Sequence, residues 1–577
     1  REVLDYLVEE VLAHQPAAIR AFLLETSILE RMTAPLCQAV VGDGEAAPKS
    51  HTGESNAEGA ARMLAHLERA NLFLLPLDGE RRWYRYHSLF AGLLRSRLDQ
   101  LKPGRAPELH RRACAWYEGQ GLIAEAVGHA LAARDIDRVE RLVAGNALDM
   151  IYRGELGTLV GWLDALPGEV VRSRPWLSVA HAWTLAYAGQ CEAVEPLLQG
   201  AERPLPGRDE WDARDQAGDQ RLAGHIAALR AYVAAVRGEM DRAAELAREA
   251  LQGLPETDLS VRGYTTTLLG AVLRPCGDLE GAAVACAEAL SISRAAGDSQ
   301  LAAIVLCDLA AIYVVRGQLH RAAGACREAQ QIAQAYAGQS GQPLPVMGYA
   351  CLRLSAVQRE WNDLEAATRN AREGLALCEQ WGQADVLAYG YAEAAKVLQA
   401  SGREEDALDA VEKGQRLGRS VPPWPGAHVA AEGARLRLGQ GDVGAASRWA
   451  RDSGLDIKDP VSFQHLFRYK VLARILMAEG ACGQAGDLLA RLLDVAEAAG
   501  AGGDLIEISV LQALSLHAQR RLELALEALA RALWRAEPEG YVRTFVEEGA
   551  PMGELLRAAT ARGICVRYVR QLLGALD

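Results

Sequence analysis

The sequence predicts an all-α fold dominated by a solenoid of helix pairs, and three observations predict it. First, residues 231–289 contain one pattern twice. Around Gly238 and again around Gly277, small residues stand seven before, five after and twelve after the glycine. They are Ala231, Ala243 and Ala250, then Gly270, Ala282 and Ala289, with apolar Met240 or Leu279 at plus two. Second, the pattern returns at Gly317, Asn362, Gly402, Gly441, Gly480 and Arg520, so the anchors step by 39, 40, 45, 40, 39, 39 and 40 residues. Self-similarity at such a period marks stacked helix pairs. Third, the small residues fall where closely crossing helices need them, and glycine falls where a tight turn asks for positive φ.

Composition narrows the function classes. The chain has 577 residues, is 50% hydrophobic and carries a net charge of −13. An acidic surface repels nucleic acid and anionic membrane. No apolar run approaches the ~20 residues of a bilayer span. Eleven scattered cysteines without a C-x-x-C pair read as reduced thiols of a cytoplasmic protein, not a disulfide frame or a metal site. The opening Arg1-Glu-Val-Leu is already in helical stride, which reads as a piece of a longer protein.

Taken in order, residues 1–100 differ from the rest. Helices are expected over 2–13 and 16–25, with Pro16 at a helix start, and a third around Pro35–Val41. Gly42–Gly59 reads as a loop and Ala60–Ala70 as a fourth helix. Leu72–Leu77 and Arg82–Tyr86 flank Asp78-Gly79, a hairpin signal, and helices followed by a ribbon suggest a winged helix. Residues 101–190 read as a helical connector. Loops are expected at Pro204–Asp219 and Gly338–Pro345, where the repeat spacing stretches.

Several short stretches now stand in one order: Asp5–Glu10, Phe22–Leu29, Leu67–Leu74, Trp83–Phe90, Leu109–Ala113, Trp162–Pro167 and Ser173–Pro175. Over residues 3–190 they resemble the middle of the MalT-type regulators, ATP-dependent LuxR-family transcription activators of the STAND class. The resemblance implies a winged-helix module over 1–100, a connector over 101–190, a sensor superhelix over 191–540 and a C-terminal helical cap over 541–577. It also implies ATP or ADP, self-association and DNA binding for a full-length protein. This chain lacks a G-x-x-x-x-G-K-[ST] loop, so it is expected to be no enzyme, to hold no cofactor, and to reach DNA through a domain it does not contain. In STAND proteins a winged-helix histidine near this position touches the phosphate of ADP, which makes His87 the candidate nucleotide sensor. A structural histidine at a helix start is the alternative.

The repeats resemble tetratricopeptide (TPR) repeats, which form a right-handed superhelix whose first helices line the concave face. Applying that family's offsets of minus thirteen, ten, six and three from each anchor gives Tyr264, Arg274, Tyr349, Arg359, Tyr389, Lys396, Gln399, His428, Arg435, Lys470 and Arg474 as candidate ligand residues. Among all such positions Glu507 is the single acid, so a basic, tyrosine-bearing inner face is expected in an acidic protein. Charges on a helix face can also be merely solvated or paired with neighbours. Two readings stand. An inducer binds this face and shifts a closed, ADP-held monomer towards an open, ATP-bound oligomer. Alternatively the superhelix is a scaffold for a protein or peptide, such as an inhibitory partner. Asp258, Asp298, Asp363 and Asp385 read as helix caps, and no hydrolase or metal motif occurs.

Overall fold

The computed structural model describes residues 12, 14–42, 56–152, 155–203, 213–341, 344, 346–381, 384–418 and 423–576. Apart from Leu12, the helix expected over 2–13 falls outside them, as do residues 43–55 of the expected loop. By contact the chain forms two units, Arg1–Ile151 with Glu155–Thr184, and Tyr152–Gly154 with Leu185–Asp577.

The first unit begins with α1 (Ala17–Thr26), α2 (Ala34–Val41) and α3 (Asn56–Arg69), the last starting inside the stretch expected to be loop. Thr33 caps α2 by accepting from the Leu36 amide. Strands β1 (Leu74–Pro76) and β2 (Tyr84–Tyr86) pair antiparallel with Leu74 opposite Tyr86, and Met32 bridges to Tyr84 on the other edge. Asp78 closes the hairpin by accepting from the Arg82 and Trp83 amides at 2.8 and 3.1 Å. The helices α4 (Ser88–Leu101), α5 (Arg105–Gly119), α6 (Ile123–Ala132), α7 (Ile136–Tyr152), α8 (Leu156–Asp164), α9 (Gly168–Ser173) and α10 (Pro175–Tyr187) follow. Phe22, Leu36, Leu67, Phe90 and Leu94 bury the core of this winged helix.

The second unit opens with α11 (Val194–Ala201). Among the described residues, eight helix pairs then run in order: α12 (Ala213–Val236) with α13 (Met240–Gly253), α14 (Leu259–Cys276) with α15 (Leu279–Ala296), α16 (Ser299–Val315) with α17 (Leu319–Ser340), and α18 (Val346–Glu360) with α19 (Leu364–Trp381). They continue with α20 (Ala384–Ala400) and α21 (Glu404–Gly418), α22 (Pro423–Gly439) and α23 (Val443–Asp452), α24 (Leu466–Ala478) and α25 (Cys482–Ala498), and α26 (Gly502–Ala518) and α27 (Leu522–Ala536). Helix α12 starts within the stretch expected to be a loop. The turns follow one rule. Gly277 ends α14 at φ 88° while the Asp278 amide reaches back to the Leu273 carbonyl, the six-to-one bond of a Schellman cap. Asn362 and Arg520 take the same left-handed conformation without glycine, at φ 63° and 60°. Close crossing explains the small residues: a methyl on Gly270 would lie 2.5 Å from the Cys286 sulfur, and one on Gly348 2.8 Å from the Gly374 carbonyl.

The later pairs return onto the turns of the earlier ones. Gly317 packs against the Gly502 backbone, and Gly277 against the Phe463 ring. Past α27, a strap of chain leads through α28 (Arg543–Val546) to α29 (Gly549–Ala561) and α30 (Val566–Leu576). Phe545, Leu555, Leu556 and Tyr568 join the core that contains Leu306, Leu354 and Leu505. The strap is also hydrogen-bonded to distant turns: the Val542 amide to the Glu360 carbonyl at 2.8 Å, the Trp361 indole to the Glu539 carbonyl at 2.9 Å, and the His320 amide to the Glu539 carboxylate at 3.0 Å. No described helix is long and apolar enough to cross a membrane.

Candidate functional site: the inner face of the later repeats

First helices of successive pairs present equivalent positions to one another. Tyr349, Tyr389, His428 and Phe467 occupy the same place in α18, α20, α22 and α24. Three of them form a ladder. His428 stacks on Tyr389 with ring centres 5.2 Å apart and an interplanar angle of 18°, and lies 4.4 Å from Phe467 on its other side. The Arg353 guanidinium sits over the rings of Tyr389 and Tyr349, at 4.7 and 4.9 Å. It also donates to the Tyr349 hydroxyl at 2.7 Å, while that hydroxyl donates to Asp308 at 3.4 Å.

Buried ions flank the ladder. Lys396 pairs with Glu393 at 3.0 Å and Glu432 at 3.7 Å. Glu432 is fully buried and also accepts from Arg435 at 2.8 Å. Lys470 pairs with Asp504 at 2.6 Å and with Glu507, which in turn meets Arg474 at 3.0 Å. The strap enters here. Glu547 takes Arg359 at 2.8 Å, Arg435 at 3.4 Å and Arg543 at 3.4 Å, and Glu548 takes Arg474 at 2.5 Å.

These contacts set the charge states. Burial opposes ionisation of Glu547, but Arg359, Arg435, Arg543 and Arg474 together outweigh it and hold the carboxyl down at about 2. Glu393 is likewise opposed by burial and held at about 2 by Lys396, Arg359 and Arg353. Burial, reinforced by the charge on Lys396, lowers His428 to about 4 and keeps it neutral near pH 7. Burial raises Asp308 despite Arg274 and Arg353. Several polar atoms stay unsatisfied: His428 Nε2, Gln399 Oε1 and the Nε of Arg353, Arg359 and Arg474 are buried with no hydrogen-bond partner among the described residues.

Of the expected ligand residues, Tyr349, Arg359, Tyr389, Lys396, His428, Arg435, Lys470 and Arg474 share this network, and Gln399 lies in α20 beside Gly439 of α22. Arg274 lies at its edge, its charge acting on Asp308. Tyr264 belongs to an earlier repeat and donates to Asp298 at 3.0 Å. His87 lies in the first unit as the exposed residue before α4, its side chain making no capping bond.

The expectation of a basic inner face is corrected. The offsets used omitted minus nine, the position one helical turn beyond minus thirteen, which shares its face. The charged members of that row are Asp308, Arg353, Glu393 and Glu432, three of them acids, and its remaining members are apolar. The i, i+4 step from the minus-thirteen residues Ile304, Tyr349, Tyr389 and His428 could have found them. Glu547 and Glu548 come from outside the repeats and carry no periodic signal. The expected caps are mixed: Asp298 and Asp363 accept from the amides of Leu301 and Ala366, whereas Asp258 binds Arg221 and His225 instead.

Comparison with known proteins agrees with this architecture. Residues 224–562 match the family model of the MalT-like TPR region, and residues 8–106 that of the MalT winged helix domain. The HTH-type transcriptional regulator MalT of Serratia proteamaculans is 29% identical over 559 residues, covering 96% of this chain and 59% of the relative. Its counterpart from Yersinia pestis is 28% identical over 557 residues with the same coverage. The chain therefore spans about 59% of the length of the curated relatives it matches. A STAND protein with a tetratricopeptide repeat sensor from Pyrococcus horikoshii shares the fold, with TM-score 0.53 and 14% identity over 82% of this chain and 66% of that one.

Proposed function

The chain belongs to the MalT-like TPR family, and on that premise we propose that it is the signal-receiving region of a MalT-like transcriptional regulator. In this reading an inducer binds the inner face of α18–α26 and controls ATP-dependent oligomerisation of the whole regulator, with His87 reporting nucleotide state and DNA reached through another domain. The observation that carries it is the aromatic ladder Tyr389–His428–Phe467 bearing buried, unpartnered His428 Nε2 and Gln399 Oε1 beside it. Rings offer a stacking surface and unsatisfied polar atoms offer directional contacts, the combination that small-molecule sites use. Inducer binding must favour one global state, since a ligand binding both equally shifts nothing.

A second reading, an acidic peptide or inhibitory protein as the ligand, is favoured by the strap itself, a stretch of chain already seated on this face. A thermal-shift screen against neutral metabolites, nucleotides, anions and short peptides tests both, with Tyr389→Ala and Gln399→Ala run beside the parent. A ligand at ~100 times its Kd stabilises by roughly 2.7 kcal/mol. A small-molecule hit lost in both variants supports the inducer reading. A hit indifferent to both variants sinks the inner-face assignment, and a response confined to peptides selects the second reading.

A further inference from the structure

Glu547 occupies a cage that could be described without it. Three guanidiniums from three helices, Arg359 of α18, Arg435 of α22 and Arg543 of α28, converge on one carboxylate, and Arg474 of α24 holds the next, Glu548. The side chains of Arg359, Arg435 and Arg474 are 12%, 17% and 16% exposed, so the cage is inside the unit and not on its rim. Each of these three arginines has a second acid as well: Arg359 its neighbour Glu360, whose other oxygen accepts from Thr544 of the strap, Arg435 the inner-face Glu432, and Arg474 the inner-face Glu507. The repeats thus supply each guanidinium with one acid, and the strap supplies a further anion on top. Arg359 Nε and Arg474 Nε remain unsatisfied even so.

Guanidinium forks recognise carboxylate and phosphate groups with the same geometry. We propose that this arginine cage is an anion subsite of the inner-face ligand site, shared between the chain's own Glu547–Glu548 and a carboxylate or phosphate group of the ligand, which exclude one another. The inference rests on the inner-face reading above and adds the ligand's chemical class and its coupling to the strap. An anion that takes the cage releases the strap, and the strap is continuous with α29 and α30. Occupancy of the inner face is thereby converted into a change at the C-terminal helices. Swapping one anion for another leaves Arg359, Arg435 and Arg474 compensated, so the cost that remains is the exposure of strap residues such as Phe545, which is buried in the core.

The test is calorimetric titration, at constant ionic strength, of citrate as the carboxylate probe and pyrophosphate as the phosphate probe. The parent chain is compared with Glu547→Gln/Glu548→Gln. At least one probe should bind the double variant ten-fold or more tighter than the parent, and added Arg359→Gln should abolish the gain. Which probe gains identifies the group. Equal affinities in parent and a cooperatively folded double variant overturn the proposal. Should the variant fold poorly, amide exchange on the parent decides: saturating probe should speed exchange over 541–548, and unchanged or slower exchange overturns the shared site. A screening hit that depends on Tyr389 while both probes fail here removes the anion subsite and leaves the inner-face reading standing.

Discussion

In the early repeats, α12–α15, inner-face groups are paired locally with the aspartate that begins the next first helix. Arg221 and His225 meet Asp258 at 2.6 and 3.1 Å, and Tyr264 meets Asp298 at 3.0 Å. In the later repeats, α18–α27, the local pairing survives at Lys470–Asp504, but most charges bridge between repeats or reach the strap. The helix seams are alike in both halves, with Ala243, Ala282, Ala407 and Ala446 all fully buried at the same offset. One repeat grammar thus fixes the scaffold while leaving the inner rows unconstrained, and that is where the two halves diverge.

The divergence is breakable at Glu432. It has no exposure and two cationic partners, so Glu432→Ala leaves Lys396 and Arg435 under-compensated in a dry setting. Breaking such a pair costs about 3–5 kcal/mol. Tyr264→Phe, its early-half counterpart, removes one hydrogen bond to a carboxylate and should cost about 1.5–3 kcal/mol. Urea unfolding of both variants, monitored by helical circular dichroism, gives the ranking. A smaller loss for Glu432→Ala than for Tyr264→Phe would erase the distinction between the halves.

Acid should weaken the later half through His428. Its folded pKa of about 4 lies below the ordinary histidine value, so as pH falls the unfolded chain binds the proton first. The stabilisation is present above about pH 6.5 and is lost on descent towards 4, amounting to about 2 kcal/mol between pH 7 and 5. His428→Phe keeps a ring between Tyr389 and Phe467 but cannot titrate. Its stability should fall less than the parent's over that interval, and parallel acid limbs would show that His428 is not the responding group.

Turn substitutions sharpen the other side of the comparison, the shared scaffold. Gly277→Ala imposes a side chain at φ 88° and sets a methyl 3.2 Å from Phe463, at a cost of about 1–2 kcal/mol. Arg520→Gly, at φ 60°, relieves a left-handed position and changes stability by no more than about 0.5 kcal/mol, because the turn geometry is kept. Melting temperatures measured side by side should show a clear drop for the first and almost none for the second.

Much of this molecule was legible in the chain. The seam residues Ala243 and Ala282, the anchors Gly238 and Gly277, the hairpin around Asp78-Gly79 and the winged-helix stretch Trp83–Phe90 all express local rules: small residues at crossings, positive φ at caps, alternation beside a turn. Tyr389, His428 and Arg435 were assigned to the inner face by the repeat period together with the offsets of the tetratricopeptide repeats that the chain resembles. The charge balance of that face was missed, because a set of offsets that skips minus nine passes over Asp308, Glu393 and Glu432.

Periodicity and local sterics therefore determined the helix pairs, their turns and the residues that share a face, since each depends on neighbours within a few turns of helix. Tertiary structure decided which charges meet. Glu547 and Arg359 are 188 residues apart, and their contact at 2.8 Å exists because the strap returns to α18. Coulomb energy depends on distance in space and on burial, and neither is written in sequence spacing.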